Sequence, residues 1–345
     1  MATSGIQAIG KVVLLMVMAV GLGVGAAGAD PQGAILGWGS QVVVDLSGGF
    51  TALAAGNSHS LGLKADGSIV AWGYNSFGHQ CNVPAPNSGF IALAAGGYHS
   101  LGLKGDGSIV AWGDTGYGHC NVPAPNTGFT ALAAGNSHSL GLKADGSIVA
   151  WGYNYYGQCN VPAPNSSFIA LAAGFYHSLG LKADGSIVAW GYNGNGQCNV
   201  PAPNSGFIDL AAGRFHSLGL KANGTIVAWG WNRDGQCNVP APNSGFIALA
   251  AGYAHSLGLK ADGSIVAWGR NDYGQCNVPG PNRGFIALAG GWGHSLGIKA
   301  QGCYFLLAGD LNDDCRVDLT DLSILAEAWL VDCQVDPYHP ACILK

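Results

Sequence analysis

The stretch GFTALAAGNSHSLGLKADGSIVAWG at residues 128–152, with QCNVP at residues 158–162, is the unit from which the fold of this chain can be predicted. Copies of the same unit fill most of the sequence. Its histidine recurs seven times, at a spacing of 39 residues except for one step of 40: His59, His99, His138, His177, His216, His255 and His294. Self-similarity at a fixed short period is typical of proteins in which one small unit packs against the next.

Each unit is predicted to be β-structure. Glycine or proline interrupts its short apolar runs, which leaves no stretch long enough for an amphipathic helix. In the copy quoted above, strand A is assigned to 129–134, strand B to 138–143, strand C to 147–152 and a short, weak strand D to 158–161. The segment KADGS between B and C is predicted to be a hairpin turn, with Asp-Gly supplying the positive φ angles.

Three or four strands per unit, repeated seven times, predict an all-β, seven-bladed propeller over residues 30–308. A β-solenoid is the alternative fold. Strand C and the segment after it occur in only six full copies, the first beginning at Ser68. The missing copy stands near the N-terminus, at 34–39 and 41–44. These residues are expected to complete the blade that begins with Phe285–Lys299, so that the ring has no open edge.

The residues LAAGNSHSLGL at 132–142, followed by AWG, resemble the repeat of the regulator-of-chromosome-condensation family, over about 270 residues in all. The short units are similar to those of secreted bacterial relatives, among them a propeller-type β-lactamase inhibitor protein. The resemblance implies a propeller that binds other molecules. The family's eukaryotic member is a nucleotide exchange factor on chromatin. That role is not expected here, because the net charge is −5 and only 14 residues are Lys or Arg.

Residues 1–29 are predicted to be a signal peptide. Lys11 precedes an apolar run at 12–20, and Ala27-Gly28-Ala29 provides a small-residue cleavage site. A buried helix or a membrane anchor is the alternative, but the run is short and rich in glycine for a bilayer span. We therefore expect a secreted or cell-surface protein, in the extracellular or periplasmic space of a bacterium.

Three residue types recur in the units without forming a single site. The seven histidines could be metal ligands, but they are isolated from one another, so a bond from each ring to backbone across a blade junction is favoured. The repeated tryptophans are predicted to be core between blades. Equivalent cysteines on adjacent blades would lie about 15 Å apart, too far for a disulfide, and are predicted to be small buried side chains. They are Cys81, Cys120, Cys159, Cys198, Cys237 and Cys276.

The C-terminal segment, 309–345, has a different character. Oxygen-bearing side chains stand at positions 1, 3, 5, 9 and 12 of a loop that would wrap one Ca²⁺, with the carbonyl of Arg316 at position 7. The ligands are Asp310, Asn312, Asp314, Arg316, Asp318 and Asp321. A short helix is predicted over Leu322–Leu330. The segment resembles one calcium-binding repeat of a type I dockerin, which implies a cohesin-like partner. An acidic solvated tail is the alternative.

Two departures from the dockerin pattern concern this segment. Cys315 stands where the loop usually has glycine, and only one copy of the repeat is present. Disulfides are expected among Cys303, Cys315, Cys333 and Cys342, although the sequence does not define their pairing.

Variation between the repeats is concentrated in the A–B loops and in the loops after strand C, which should emerge on one side of the propeller. Aromatic and arginine side chains are enriched there, as they are in interaction hot spots. The predicted ligand-binding face consists of Tyr98, Tyr155, Tyr156, Phe175, Tyr176, Arg214, Phe215, Trp231, Arg233, Tyr253, Arg270, Tyr273 and Trp292. Its ligand would be a protein or a polysaccharide.

A non-enzymatic binding protein is the favoured function, because nearly every candidate catalytic residue is repeated in six or seven units. An extracellular lyase or hydrolase and a purely structural surface protein are the alternatives. A carboxylate pair on a single blade would favour the enzyme. The acidic residues that break the repeat are Asp209, which replaces an alanine, and Asp114, Asp234 and Asp272 in loops.

Overall fold

The computed structural model describes residues 33–40, 46–76 and 78–300. This part of the chain contains strands and no helix. The strands are β1 Gly33–Gly39, β2 Leu46–Ala55, β3 His59–Lys64, β4 Ile69–Gly73, β5 Phe90–Ala95, β6 His99–Lys104, β7 Ile109–Gly113, β8 Phe129–Ala134, β9 His138–Lys143, β10 Ile148–Gly152, β11 Phe168–Ala173, β12 His177–Lys182, β13 Ile187–Gly191, β14 Phe207–Ala212, β15 His216–Lys221, β16 Ile226–Gly230, β17 Phe246–Ala251, β18 His255–Lys260, β19 Ile265–Gly269, β20 Phe285–Gly290 and β21 His294–Ala300.

The strands are grouped in antiparallel triplets. The strand in the centre of each triplet is the one that begins with the repeat histidine. Five triplets are separate three-stranded sheets. The other two are joined in one six-stranded sheet of order β20-β21-β1-β2-β3-β4. The described chain is thus an all-β propeller of repeated three-stranded units, with six blades when sheets are counted and seven when triplets are counted.

The N-terminal strand completes the last triplet, as predicted for residues 34–39. β1 pairs with β21 along its whole length, from Gly33 opposite Ala300 to Gly39 opposite His294. The Trp38 indole N–H donates to the carbonyl of Gln275 at 2.9 Å, as the Trp112 indole does to Gln80 at 2.9 Å. Trp38 therefore occupies the place of the repeat tryptophan. Residues 41–44 lie outside the described residues.

The prediction of a fourth strand is wrong: the segment equivalent to 158–161 forms turns. Its backbone is held by an asparagine side chain instead of a neighbouring strand. The Asn154 Oδ1 accepts the backbone N–H of Cys159 at 2.8 Å, and its Nδ2 donates to the Asn160 Oδ1 at 2.8 Å. Asparagine side chains compete with strand pairing in this way because they offer both a donor and an acceptor.

The hydrophobic core lies between successive units. At one junction Leu140, Leu142 and Ile148 pack against Phe168 and Trp190 of the following unit. Fully burying one such apolar side chain stabilises the fold by about 1.5–3 kcal/mol. The prediction that the repeat tryptophans belong to the core between blades is confirmed. Five of them are each 6% exposed, and Trp72 is a partly buried side chain packed against the core.

Two glycines of the unit are required by geometry. In the hairpin turn Gly146 has a φ of +78°, while Asp145 does not have positive φ; the turn therefore needs only one such residue. The Asp145 carboxylate instead accepts hydrogen bonds from the backbone and hydroxyl of Ser147, at 2.9 and 2.6 Å. At Gly135, a Cβ would stand 2.3 Å from the ring of His138, so any side chain there would displace the histidine.

Candidate binding surface

Two loops of every unit meet on one side of the propeller. The Tyr153 N–H, just after strand β10, donates to the carbonyl of Ser137, just before β9, at 2.8 Å. On the other side the hairpin turn meets the link between units, where the Phe168 N–H donates to the carbonyl of Gly146 at 3.0 Å. The variable loops therefore lie on one side, and the repeated turns and links lie on the other, as expected from the sequence.

Twelve side chains on the variable side form one continuous set of ring contacts, which we call the aromatic surface. Each ring centroid lies within 6.5 Å of another. The members are Tyr117, Tyr153, Tyr155, Tyr156, Phe175, Tyr176, Tyr192, Phe215, Trp231, Tyr253, Tyr273 and Trp292. They come from loops whose residues are far apart in sequence, and only the stacking of the units brings them together.

The aromatic surface contains nearly all of the aromatic residues predicted for the binding face. Tyr98 is the exception. It lies in a separate cavity of about 500 Å³ with Tyr74 and Asp114. Three members, Tyr117, Tyr153 and Tyr192, were not predicted. Tyr153 and Tyr192 directly follow the Trp-Gly of their units, where Tyr74 and Trp231 also stand, so their position in the repeat could have revealed them.

The rings are partly held by one another and partly open to solvent. Tyr155 is 78% exposed and Tyr117 is 58% exposed, whereas most other members are half-buried. Burial raises the pKa of the Tyr176 hydroxyl, and the charges that Tyr153 and Tyr156 would carry when ionised add to the increase. Rings fixed in this way lose little conformational freedom when another molecule covers them.

The three predicted arginines line one cavity of about 360 Å³ beside the aromatic surface. Its walls include Phe215, Trp231 and Tyr253, together with Arg214, Arg233, Arg270, Asp234 and Asp272. The Arg270 Nε lies 2.6 Å from the Asp272 Oδ2. Asp272 raises the pKa of the Arg270 guanidinium, and Asp234 adds to this effect.

One residue from each of the seven units surrounds the centre of this side: Asn57, Gly97, Asn136, Phe175, Arg214, Tyr253 and Trp292. They line a central cavity of only about 80 Å³. Asn57 and Asn136 belong to units on either side of Gly97, and the Asn57 Nδ2 donates to the Asn136 Oδ1 at 3.0 Å. Side chains that converge from six of the seven units therefore narrow the centre of the propeller.

The repeat histidines bond to side chains, and the prediction that they bond to backbone is wrong. The Nε2 of each lies 2.9–3.0 Å from the hydroxyl of a serine in the next unit. The pairs are His59–Ser100, His99–Ser139, His138–Ser178, His177–Ser217, His216–Ser256, His255–Ser295 and His294–Ser60. The last pair returns to the first unit, so the seven bonds form a closed circuit.

The hydroxyl partner also defines the tautomer of the histidine. Because Ser178 donates its own proton to the carbonyl of Gln158 at 2.9 Å, it must accept the proton of the His138 Nε2. The His138 Nδ1 is then a bare acceptor, and no described residue donates to it. Burial lowers the pKa of His138 to about 3, because a proton on Nδ1 would place an unpaired charge in the core.

The repeat cysteines are free, as predicted, but they are half-buried, whereas buried side chains were expected. The Sγ of Cys159 lies 3.4 Å from the carbonyl of Tyr153 in its own loop, and burial raises the pKa of this thiol to about 11. Within the described residues no group of three histidine, cysteine or acidic side chains could hold a metal ion.

Asp209 is the one acidic residue that interrupts strand A. It stands opposite Leu220 in the strand pairing, at a position that is alanine in the other six units. Its Oδ1 accepts the backbone N–H of Leu210 at 2.8 Å. Burial raises the pKa of this carboxyl to about 7, and no described carboxylate contributes to the shift.

The sequence profile of the regulator of chromosome condensation (RCC1) repeat matches six segments of the chain. They are residues 50–78, 90–118, 129–158, 168–197, 207–236 and 246–275, together just over half of the sequence. The chain belongs to the RCC1-repeat family. The resemblance derived from LAAGNSHSLGL is therefore confirmed. A search of curated proteins by sequence gave no match.

Several solved structures share this fold. Prp20p from Saccharomyces cerevisiae is 18% identical with a TM-score of 0.66, over 87% of this chain and 95% of its own. Human WBSCR16 is 17% identical, with a TM-score of 0.57 over 72% of this chain and 86% of its own. The ectodomain of the receptor kinase ACR4 from Arabidopsis thaliana is 24% identical, with a TM-score of 0.57 over 70% and 90%.

Several predictions fall on parts of this RCC1-repeat chain outside the described residues. They are the signal peptide at 1–29, the calcium ligands between Asp310 and Asp321, the helix over Leu322–Leu330 and the C-terminal cysteines. They stay predictions. Among the described residues, no helix is long and apolar enough to cross a membrane.

Proposed function

We propose that the chain is a secreted, non-enzymatic binding protein that holds a protein partner on its aromatic surface. The observation that carries the proposal is the continuous set of twelve rings on the variable side of an otherwise repetitive molecule. Tyrosine, tryptophan and arginine dominate the binding energy of protein interfaces, because they bury large areas at a low entropic cost. A surface this broad suits a protein better than a single polysaccharide chain, which remains the alternative ligand.

Binding of proteins is also known among the structural neighbours. Prp20p has binding properties to Gsp1p and histones, and the same protein, yeast RCC1, has been crystallised with Kap60 bound. At 18% identity these neighbours share the fold, so their partners are not transferred to this chain. They support only the general idea that an RCC1-type propeller serves as a platform for another protein.

The acidic residues that break the repeat do not favour the alternative of a lyase or hydrolase. Asp234 and Asp272 line one cavity, but Asp272 is engaged by Arg270 at 2.6 Å. Asp114 lies in a different cavity with Tyr98. A general acid and base would need two available carboxylates facing one substrate. Here the two aspartates come from different units, and Arg270 already neutralises Asp272.

The C-terminal segment completes the proposal. Asp310, Asn312, Asp314, Asp318 and Asp321, with the carbonyl of Arg316, would bind one Ca²⁺, and the ordered segment would attach the propeller to a cohesin-like partner or another surface. Export through the signal peptide at 1–29 would place the protein outside the cell or in the periplasm.

The test is capture of partners from culture supernatant by the full chain, followed by mass spectrometry. A variant with Tyr117, Tyr155, Tyr156 and Tyr273 replaced by Ala should lose the captured protein, since these are the more exposed rings of the surface. The control replaces Asp66, Asp106, Asp145 and Asp184, on the other side, by Ala. Equal loss in both variants would refute the proposal, and capture of polysaccharide alone would favour the alternative ligand. Thermal melting confirms that both variants are folded.

A further inference from the structure

Arg214 is unlike the residue at the same position of any other unit. Its guanidinium carbon lies 4.3 Å from the ring centroid of Tyr253, 4.5 Å from that of Phe215 and 5.3 Å from that of Phe175. Its Nε is inaccessible to solvent and has no hydrogen-bond partner among the described residues. The aromatic faces stabilise the cation, but they leave hydrogen-bond donors of the planar guanidinium unused.

The charges of the surrounding cavity are unevenly paired. Arg270 forms an ion pair with Asp272, and the charge of Asp234 also stabilises its guanidinium. No described carboxylate forms an ion pair with Arg214. With three arginines and two aspartates, the lining has an excess of one positive charge. A ligand group with a single negative charge would balance it, whereas a dianion would be opposed by the two aspartates.

We propose that this cavity binds the carboxylate of an aspartate or glutamate side chain that a partner protein presents, with Arg214 as its principal ligand. The inference rests on the proposed function, because it assumes that the aromatic surface is covered by a protein. A guanidinium offers two parallel N–H groups that match the two oxygens of a carboxylate. Phe215, Trp231 and Tyr253 would cover the methylene groups of the side chain and exclude water, which strengthens the bond.

The size and place of the cavity support an acidic side chain as the occupant. About 360 Å³ is at the lower end of the range for ligand pockets. The cavity shares Phe215, Trp231 and Tyr253 with the aromatic surface, so a protein that covers the surface also reaches Arg214. A charged residue that is desolvated at the centre of an apolar contact is a frequent hot spot.

The test uses two blocked dipeptides, N-acetyl-Phe-Asp-amide and N-acetyl-Phe-Asn-amide, which differ only in a carboxylate and its neutral isostere. Their binding to the full chain is measured by ligand-observed NMR in the millimolar range. The Asp peptide should bind at least about tenfold more tightly than the Asn peptide, as expected for a charged hydrogen bond, and salt should weaken it. Equal affinities, or no binding of either peptide, would overturn the inference. Binding of galacturonate without the Asp peptide would overturn the protein source.

Variants then assign the preference to Arg214. Arg214→Gln should reduce the affinity of the Asp peptide to that of the Asn peptide, and Arg214→Lys should restore only part of it, because lysine lacks the planar pair of donors. Arg283→Gln, which removes the same charge from a link on the other side of the propeller, should leave binding unchanged. An unchanged affinity in Arg214→Gln contradicts the inference. If Arg214→Gln does not fold, the comparison of the two peptides on the unaltered chain still shows whether the cavity prefers a carboxylate.

The inference and the proposed function can fail separately. A captured partner that is lost from the four-tyrosine variant but retained by Arg214→Gln would leave the binding surface in place and refute the carboxylate cavity. A preference for the Asp peptide that depends on Arg214, together with no loss of any partner from the four-tyrosine variant, would refute the proposed surface and leave the cavity.

Discussion

At the scale of single residues, the junction between units depends on a short relay of hydrogen bonds. His138 donates to Ser178, which donates to the carbonyl of Gln158, and the indole N–H of Trp190 donates to the same carbonyl. All four residues come from two adjacent units. Because His138 and Ser178 are fully buried, water cannot replace a bond that is lost, so each member of the relay should contribute to stability.

Ser178→Ala should destabilise the protein by about 1–3 kcal/mol, because the His138 Nε2 proton would be buried without an acceptor. The matched control is Ser186→Ala, which removes an exposed hydroxyl that bonds to Asp184 in a hairpin turn and should cost about 0.5 kcal/mol or less. Urea unfolding of both variants measures the difference. Equal effects of the two substitutions would contradict the role of the relay.

Asp209→Ala should stabilise the protein at neutral pH. The folded-state pKa of about 7 lies above the ordinary 3.8, so the folded state binds the extra proton and the carboxyl costs stability as pH rises from 3.8 through 7. The gain from the substitution should therefore be absent near pH 4 and should grow as pH rises through 7. Asp209→Asn, which removes the charge and keeps the shape, is the control. The urea midpoint as a function of pH is the measurement, and a gain that does not depend on pH would contradict the assignment.

At the scale of elements, β1 is the strand that joins the two ends of the propeller. It pairs with β21 through seven residues and also meets β2. The core at this junction combines Ile35 and Phe50 with Leu296 and Ile298. A strand that lies far away in sequence from its partner is placed by these contacts alone.

Removal of residues 1–45 should open the ring and cause association, because β21 would then expose unpaired backbone groups and an apolar junction. Removal of residues 1–32 retains β1 and should leave the propeller monomeric and as stable as the full chain. Size-exclusion chromatography and thermal melting compare the two. A monomer of unchanged stability without β1 would show that the closing strand is dispensable.

The C-terminal segment is an element whose role can be tested on the full chain. Calorimetric titration with Ca²⁺ should show one site, and Asp310→Ala combined with Asp321→Ala should abolish it, since both residues are predicted ligands. Asp145→Ala with Asp184→Ala removes two hairpin carboxylates and should leave the heat of binding unchanged. Absence of binding at millimolar Ca²⁺ would refute the proposed calcium site.

At the scale of the whole molecule, the seven histidines act on stability together. Burial lowers the pKa of six rings from 6.5 to about 3 or 4, and that of His99 well below its ordinary range. Between these values the unfolded chain binds protons that the folded propeller does not. The contribution of the neutral histidines to the free energy of unfolding is therefore fully present above pH 6.5 and is lost as pH falls toward 4.

The free energy of unfolding should fall with a slope that approaches about 1.4 kcal/mol per pH unit for each histidine in this interval. Seven rings at equivalent junctions should make acid unfolding steep and complete near pH 4. Urea midpoints at several pH values between 7 and 4 measure the slope. A midpoint that is constant across the interval would show that the rings are not buried as neutral groups.

Much of this fold follows from patterns within a single repeat. Glycines, the apolar runs and the Asp-Gly turns act within one unit, so strands A, B and C, the two sides of the propeller and the closing strand at 34–39 could be predicted from the repeat. Strand D could not be, because QCNV has the composition of a strand while the side chain of Asn154, a few residues earlier, turns the backbone.

The contacts between units, in contrast, depend on three-dimensional packing. The histidine and its serine are 40 or more residues apart in sequence, so the relay depends on how one sheet stacks on the next. The same holds for the rings around Arg214: the loops that carry Phe175 and Tyr253 belong to units on either side of it. Repetition predicts which loops vary, but the angle between units decides which side chains meet, and no local pattern encodes that angle.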